Sequence, residues 1–139
     1  MQNDSRELQE LLSVTALMTE SVIACDGCGQ LVYANLAART LFGDINMDQN
    51  SMDDCPEMLG IFDDQGERLL EPQEVPLAQA AYEGKVSQVN LMVRQERAAS
   101  AVQATAFPVL DREGRQIGAM MVCRSLGNLQ ELARPSHLA

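Results

Sequence analysis

The chain has 139 residues, a length suited to one domain that buries roughly two-thirds of its unfolded surface, so no disulfide staples are required. Its 20 acidic against 10 basic residues give a formal net charge of −10, which repels phosphate backbones and anionic lipid surfaces and excludes nucleic acid and membrane as expected partners. With 4% aromatic residues, no Trp and eight Met, flexible thioethers replace rigid rings as core fillers.

The N-terminus MQNDSRELQE lacks the basic start and apolar stretch of a signal peptide, and no apolar run reaches about 18 residues, so a soluble, cytoplasmic protein is expected. The four cysteines, Cys25, Cys28, Cys55 and Cys123, are too sparse for a disulfide scaffold and are expected as reduced thiols.

In chain order, SRELQELLSVTALMTE puts Leu8, Leu11, Leu12, Thr15 and Met18 at three- and four-residue intervals, the spacing of one helix face. Asp4 or Ser5 is the expected cap, with Glu7 completing a capping box to Asp4. Val14 and Leu17 widen the stripe, which suggests two contacts: the helix's own domain and a partner helix. A homodimer through Leu8, Leu11, Leu12, Thr15 and Met18 is the resulting expectation.

SVIAC and QLVYA then flank Asp26-Gly-Cys-Gly29 as a hairpin, because glycines tolerate the positive φ of tight turns. Asn35 stands where its oxygen can cap LAARTLF, and Gly43 ends that helix. Residues 44 to 63 read as short helical turns over a core. After DDQGER, Pro76 opens a helix with Leu77, Ala80 and Ala81 on one face and Gly84 at its end.

Three strands follow: VSQVNLMVR, SAVQATAFPVL and QIGAMMVCR, the last two joined by DREG. In QIGAMMVCR both alternating sets are apolar, which predicts a central strand covered on both faces. The chain divides into an N-terminal amphipathic helix (1–19), one domain (20–126) and a tail (127–139) that can begin a helix before Pro135.

The stretch SVIACDGCGQLVYANLAARTLFG, with Tyr33, Asn35, Ala37, Ala38, Leu41, Phe42 and Gly43, resembles the opening of a PAS domain. FDDQGERLLEPQEVPLAQAAYEGKV and FPVLDREGRQIGAMMVCR are similar to that family's middle and closing hairpin, so the likeness runs over roughly residues 20 to 124. The resemblance implies an α+β fold: a five-stranded antiparallel sheet in the order 2-1-5-4-3 with helices on one face. It also implies a sensory input to a histidine kinase, diguanylate cyclase or transcription regulator. Where many members end the last strand in Asp-Ile-Thr, this chain has Arg124, Ser125 and Leu126.

Cys25-Asp-Gly-Cys28 is the spacing of zinc and redox motifs, but it straddles a hairpin turn and no second close pair follows, so Cys25 is expected inward as a small hydrophobe. Haem is not expected, since Gly29 replaces the His of covalent attachment and the only His, His137, sits in the tail. Nor is flavin, since the stretch from Asn46 to Cys55 has none of the N-C-R-F-L-Q pattern of flavin photosensors in the family. No triad order, phosphate loop or dinucleotide fingerprint is present, and no enzymatic activity is expected.

Between the sheet and the helical middle, Met58, Phe62, Val89, Leu91, Thr105 and Met121 are the expected lining for a small apolar ligand, with Thr105 as the polar exception. A filled core accounts for the same residues equally well. Three function classes stand: a ligand-binding or dimerising sensory module, a ligand-free dimerisation scaffold, and a small thiol-redox or zinc protein.

Overall fold

A computed structural model describes residues 2–43, 45, 52–95 and 98–128. Helix α1 (Gln2–Ser13) leads into strands β1 (Ser21–Asp26) and β2 (Leu31–Ala34), then helix α2 (Leu36–Phe42). A 3-10 turn (Met52–Asp54), helix α3 (Cys55–Leu59) and a two-residue strand β3 (Ile61–Phe62) follow. A second 3-10 turn (Pro72–Glu74) and helix α4 (Pro76–Glu83) precede the long strands β4 (Ser87–Gln95), β5 (Ala98–Leu110) and β6 (Gln116–Asn128). The tail expected from residue 127 opens instead as strand: β6 runs past the expected end at Arg124 to Asn128, because Gly127 and Asn128 pair with Ala101 and Ser100 of the equally long β5. The rest of the tail, 129–139, with any helix there and His137, lies outside the described residues.

The sheet is antiparallel throughout with order β2-β1-β6-β5-β4-β3. This is the expected order with one strand added at the edge. Ile61 and Phe62, expected in a helical turn, pair with Val93 and Met92. The reason is local: Gly60 ends α3 in a left-handed conformation and turns the chain alongside β4, where the Arg94 N–H donates to the Gly60 carbonyl at 2.8 Å.

Three hairpin corners share one design. At Asp26 the side chain accepts from the Cys28 and Gln30 N–H groups, and Gly29 adopts φ 84°, which a side chain would oppose. The same Asp-x-x-Gly turn recurs at Asp63 and Asp111, each with its Gly N–H donating to the Asp carbonyl. Backbone N–H donors hold the Asp63 and Asp111 carboxyls below the ordinary carboxylate range.

Two apolar layers cover the sheet. On the inner face α2, α3 and α4 bury Phe42, Cys55, Leu59 and Leu77 against Ile23, Val102 and Met121. On the outer face α1 lays Leu8 and Leu12 on Val22, Ala24, Val109 and Ile117. Strand β6 is therefore covered on both sides, as its two apolar sets require.

The first helix departs from expectation at both ends. It begins at Gln2, so Asp4 and Ser5 are helical residues and not caps. It ends at Ser13, four residues before Leu17. There the Ser13 and Thr15 hydroxyls donate back to the Glu10 and Leu12 carbonyls, and the chain tightens into three-residue turns through Met18.

Candidate functional site

The residues expected at a dimer contact separate into two groups. Leu8, Leu12 and Thr15 are buried at 2%, 1% and 5% exposure, the two leucines against the chain's own sheet and Thr15 beside Tyr33, and are not available to a partner. Leu11 and Met18 are exposed, and with Val14 and Leu17, at 79% and 96%, they form an outward apolar ridge. The sequence stripe was broad because it runs past the helix: Val14, Thr15, Leu17 and Met18 lie in the turns after Ser13.

The ridge is bordered by two grooves. One, of about 320 Å³, runs between Leu11, Val14, Phe107, Pro108, Leu110 and Met120 on the outer face. The other, of about 670 Å³, opens at the far end of the sheet between Leu17, Leu36, Leu41, Gln95, Ser100 and Ser125. Its buried floor includes Cys123, whose thiol burial pushes up to about 12, leaving it uncharged.

The expected ligand lining divides across the sheet. Leu91 and Met121 lie in the inner core, and Met58 packs against it. Thr105 does not belong there. It pairs with Gln88 on the outer face, accepting from Gln88 Nε2 at 3.1 Å, while Val102, Ala104 and Ala106 point inward with no exposure. The polar residues Gln103 and Thr105 alternate with the apolar set, and this puts them outside. Phe62 also leaves the lining: it sits beside Met92 with the Arg94 guanidinium 4.9 Å above its ring. Val89 is on the inward side of β4 but is 39% exposed near the strand's start.

Cys25 and Cys28 diverge as the hairpin reading required, the first buried and the second exposed at the turn. Burial also pushes the Cys25 and Cys55 thiols up to about 12, aided at Cys55 by Cys25 and Cys123 nearby. Cys25 pairs with Ala119 and Cys123 with Ser21, so four residues, roughly 13 Å of strand, separate them along the pair.

One polar centre combines residues that the sequence marked separately. Asn35, 3% exposed, caps α2 by accepting from the Ala38 N–H at 2.9 Å, and the same oxygen accepts from the Val22 N–H at 3.0 Å. Its Nδ2 donates to the Thr15 carbonyl at 2.9 Å and the Glu20 carbonyl at 3.0 Å. The Thr15 hydroxyl, its proton on the Leu12 carbonyl, lies 2.9 Å from the Tyr33 hydroxyl and accepts from it. The cap could be read from sequence; the two Nδ2 bonds to a segment 15 and 20 residues upstream could not.

No protein-family model matches the sequence, and no curated protein does. Solved structures do. The PAS domain of Bordetella pertussis BvgS is 16% identical with a TM-score of 0.67, over 95% of both chains. The PAS domain of nitrogen regulation protein NR(II) from Vibrio parahaemolyticus is 16% identical with a TM-score of 0.55, over 82% of this chain and 95% of that one. A phage VqmA–DPO complex is 14% identical with a TM-score of 0.64, over 99% of this chain and 60% of that one. An antiparallel sheet in this order, with the helical segment over one face, is shared with these domains. The chain has the PAS fold.

Proposed function

We propose that the chain is a non-catalytic PAS signalling module that works as a cytoplasmic homodimer, joined along the apolar ridge at the end of α1 and in the turns after it, and regulates an effector such as a histidine kinase, diguanylate cyclase or transcription regulator. The observation that carries this reading is the ridge itself. Leu11 on α1, and Val14, Leu17 and Met18 in the turns that follow it, stay exposed after Leu8 and Leu12 are buried, and each large apolar side chain withdrawn from water is worth about 1.5–3 kcal/mol. A two-fold interface needs a surface complementary to itself. A ridge directly beside the uncharged groove of Phe107, Pro108 and Met120 supplies that complementarity.

Sedimentation velocity at high micromolar concentration tests it. The wild-type chain is expected to run as a dimer, and Leu11→Asp with Val14→Asp as a folded monomer; a wild-type monomer under the same conditions overturns the reading. A small uncharged ligand is the second reading, favoured by the groove at Leu17 and Leu36 with its neutral floor. Native mass spectrometry of gently purified protein checks it: a retained molecule supports it, and bare polypeptide leaves the dimer scaffold.

A further inference from the structure

We propose that Asn35 is the coupling residue of this domain, the side chain through which a shift of α2 releases or re-seats α1. The inference rests on the signalling reading above and adds where the signal crosses the sheet.

Helix α2 lies on the inner face and buries Ala38 and Phe42 in the main core, so any repacking of that core bears on it. Helix α1 lies on the opposite face, held along its length by the side chains of Leu8 and Leu12. Such apolar contacts are non-directional and resist sliding weakly. The directional hold is on the segment that joins α1 to β1: the Asn35 amide and the Tyr33 hydroxyl fix Thr15 and Glu20, and the Thr15 N–H and hydroxyl in turn donate to the Leu12 carbonyl in the last turn of α1.

The amide is one rigid plane that uses all of its hydrogen-bonding positions: two N–H groups received at Oδ1, two carbonyls bonded by Nδ2. The two halves cannot move independently. If the first turn of α2 moves, either the Ala38 N–H bond breaks or the plane turns and takes the Thr15 and Glu20 bonds with it. Bonds in so buried a site lose their alignment steeply, and a donor left without its acceptor is costly there. Ser21, whose hydroxyl donates to the Ala37 carbonyl at 3.2 Å, gives the same helical turn a second tie to the start of β1.

The test is hydrogen exchange on the full chain, read as a double-mutant cycle. Asn35→Asp keeps the shape and both accepted bonds but turns the donating half into an acceptor. It is expected to raise amide exchange over residues 8–19 by about tenfold or more while β5 and β6 keep their protection. Ala37→Gly, which loosens the first turn of α2, is expected to raise exchange in α2 and also in α1, and to affect α2 alone when Asn35→Asp is already present. Ala37→Gly acting on α1 equally in both backgrounds, or leaving α1 unchanged in the wild type, overturns the proposal. Should Asn35→Asp fail to fold, Tyr33→Phe removes one hydroxyl from the Thr15 arm, and it is expected to raise exchange in residues 12–19 about threefold; no change there also overturns it. Because exchange is read within each domain, a monomer that keeps the cycle's non-additivity defeats the dimer reading and leaves the coupling intact. A dimer with an additive cycle does the reverse.

Discussion

At the scale of single residues, the thiols give the sharpest test of the packing. Cys28 is exposed and the other three are buried with raised pKa values, so Ellman's reagent is expected to find one of the four thiols in the native protein and all four after unfolding. Two reactive thiols in the folded chain would show that the inner core is open. The pH consequence follows from the same burial. The folded state holds the proton of Cys25, Cys55 and Cys123 up to about 12, against an ordinary value of 9.0, so their stabilising contribution is present below that value and is lost as pH rises from it toward 12. Urea midpoints are expected to fall between pH 8 and about 11, and the slope to flatten when the three are replaced by Ala. Strand β5 offers a second check: Ala104→Phe, at an inward site with no space, is expected to cost about 1–3 kcal/mol, and Thr105→Val on the outer face less than about 0.5. The alternation V-Q-A-T-A was legible in the sequence, yet small alanines gave the inward set too little weight against one threonine that suited a pocket. The Asn35 cap was legible because it is local; its upstream bonds depend on tertiary approach and leave no mark in spacing.

At the scale of elements, the order of helices and strands followed from periodicity and turn residues, and the misses lie where neighbours decide. β3 has two residues and no pattern of its own; it is a strand because Gly60 directs it along β4. Helix α1 was visible as a stripe, but a stripe cannot say which of its two sides is taken by the chain's own sheet. The division is testable by truncation. Leu8→Ala and Leu12→Ala are each expected to cost about 2–4 kcal/mol in urea unfolding, whereas Leu11→Ala is expected to change stability by less than about 0.5 kcal/mol in the monomer. Equal costs at all three would place the helix differently. Gly118 fixes how close α1 lies: a Cβ there would collide with the Cys25 carbonyl and press on Leu8 Cδ2 at 3.2 Å. Gly118→Ala is thus expected to lift α1 from the sheet and raise its exchange, with β1 displaced as well.

At the scale of the whole molecule, a charge of −10 on each copy sets the salt dependence of association. An interface made of Leu11, Val14, Phe107, Pro108 and Met120 contains no ion pair to screen, whereas the copies repel each other at long range. The dimer is therefore expected to tighten between about 50 and 500 mM sodium chloride, and weakening over that range would point to an ionic interface instead. The distribution of strand lengths governs which other associations are open to the molecule. The two longest strands, β5 and β6, have 13 residues each and lie inside the sheet, and the two shortest, β2 with four and β3 with two, are its borders. Phe62 on β3 is further occupied by a bridge to Leu69. A border this short leaves much of its neighbour uncovered: β3 pairs with β4 only at Met92 and Val93, so Ser87–Leu91 of β4 have no strand partner on that side among the described residues. Copies that meet by chance therefore have two surfaces open to them, the apolar ridge at the end of α1 and the uncovered start of β4.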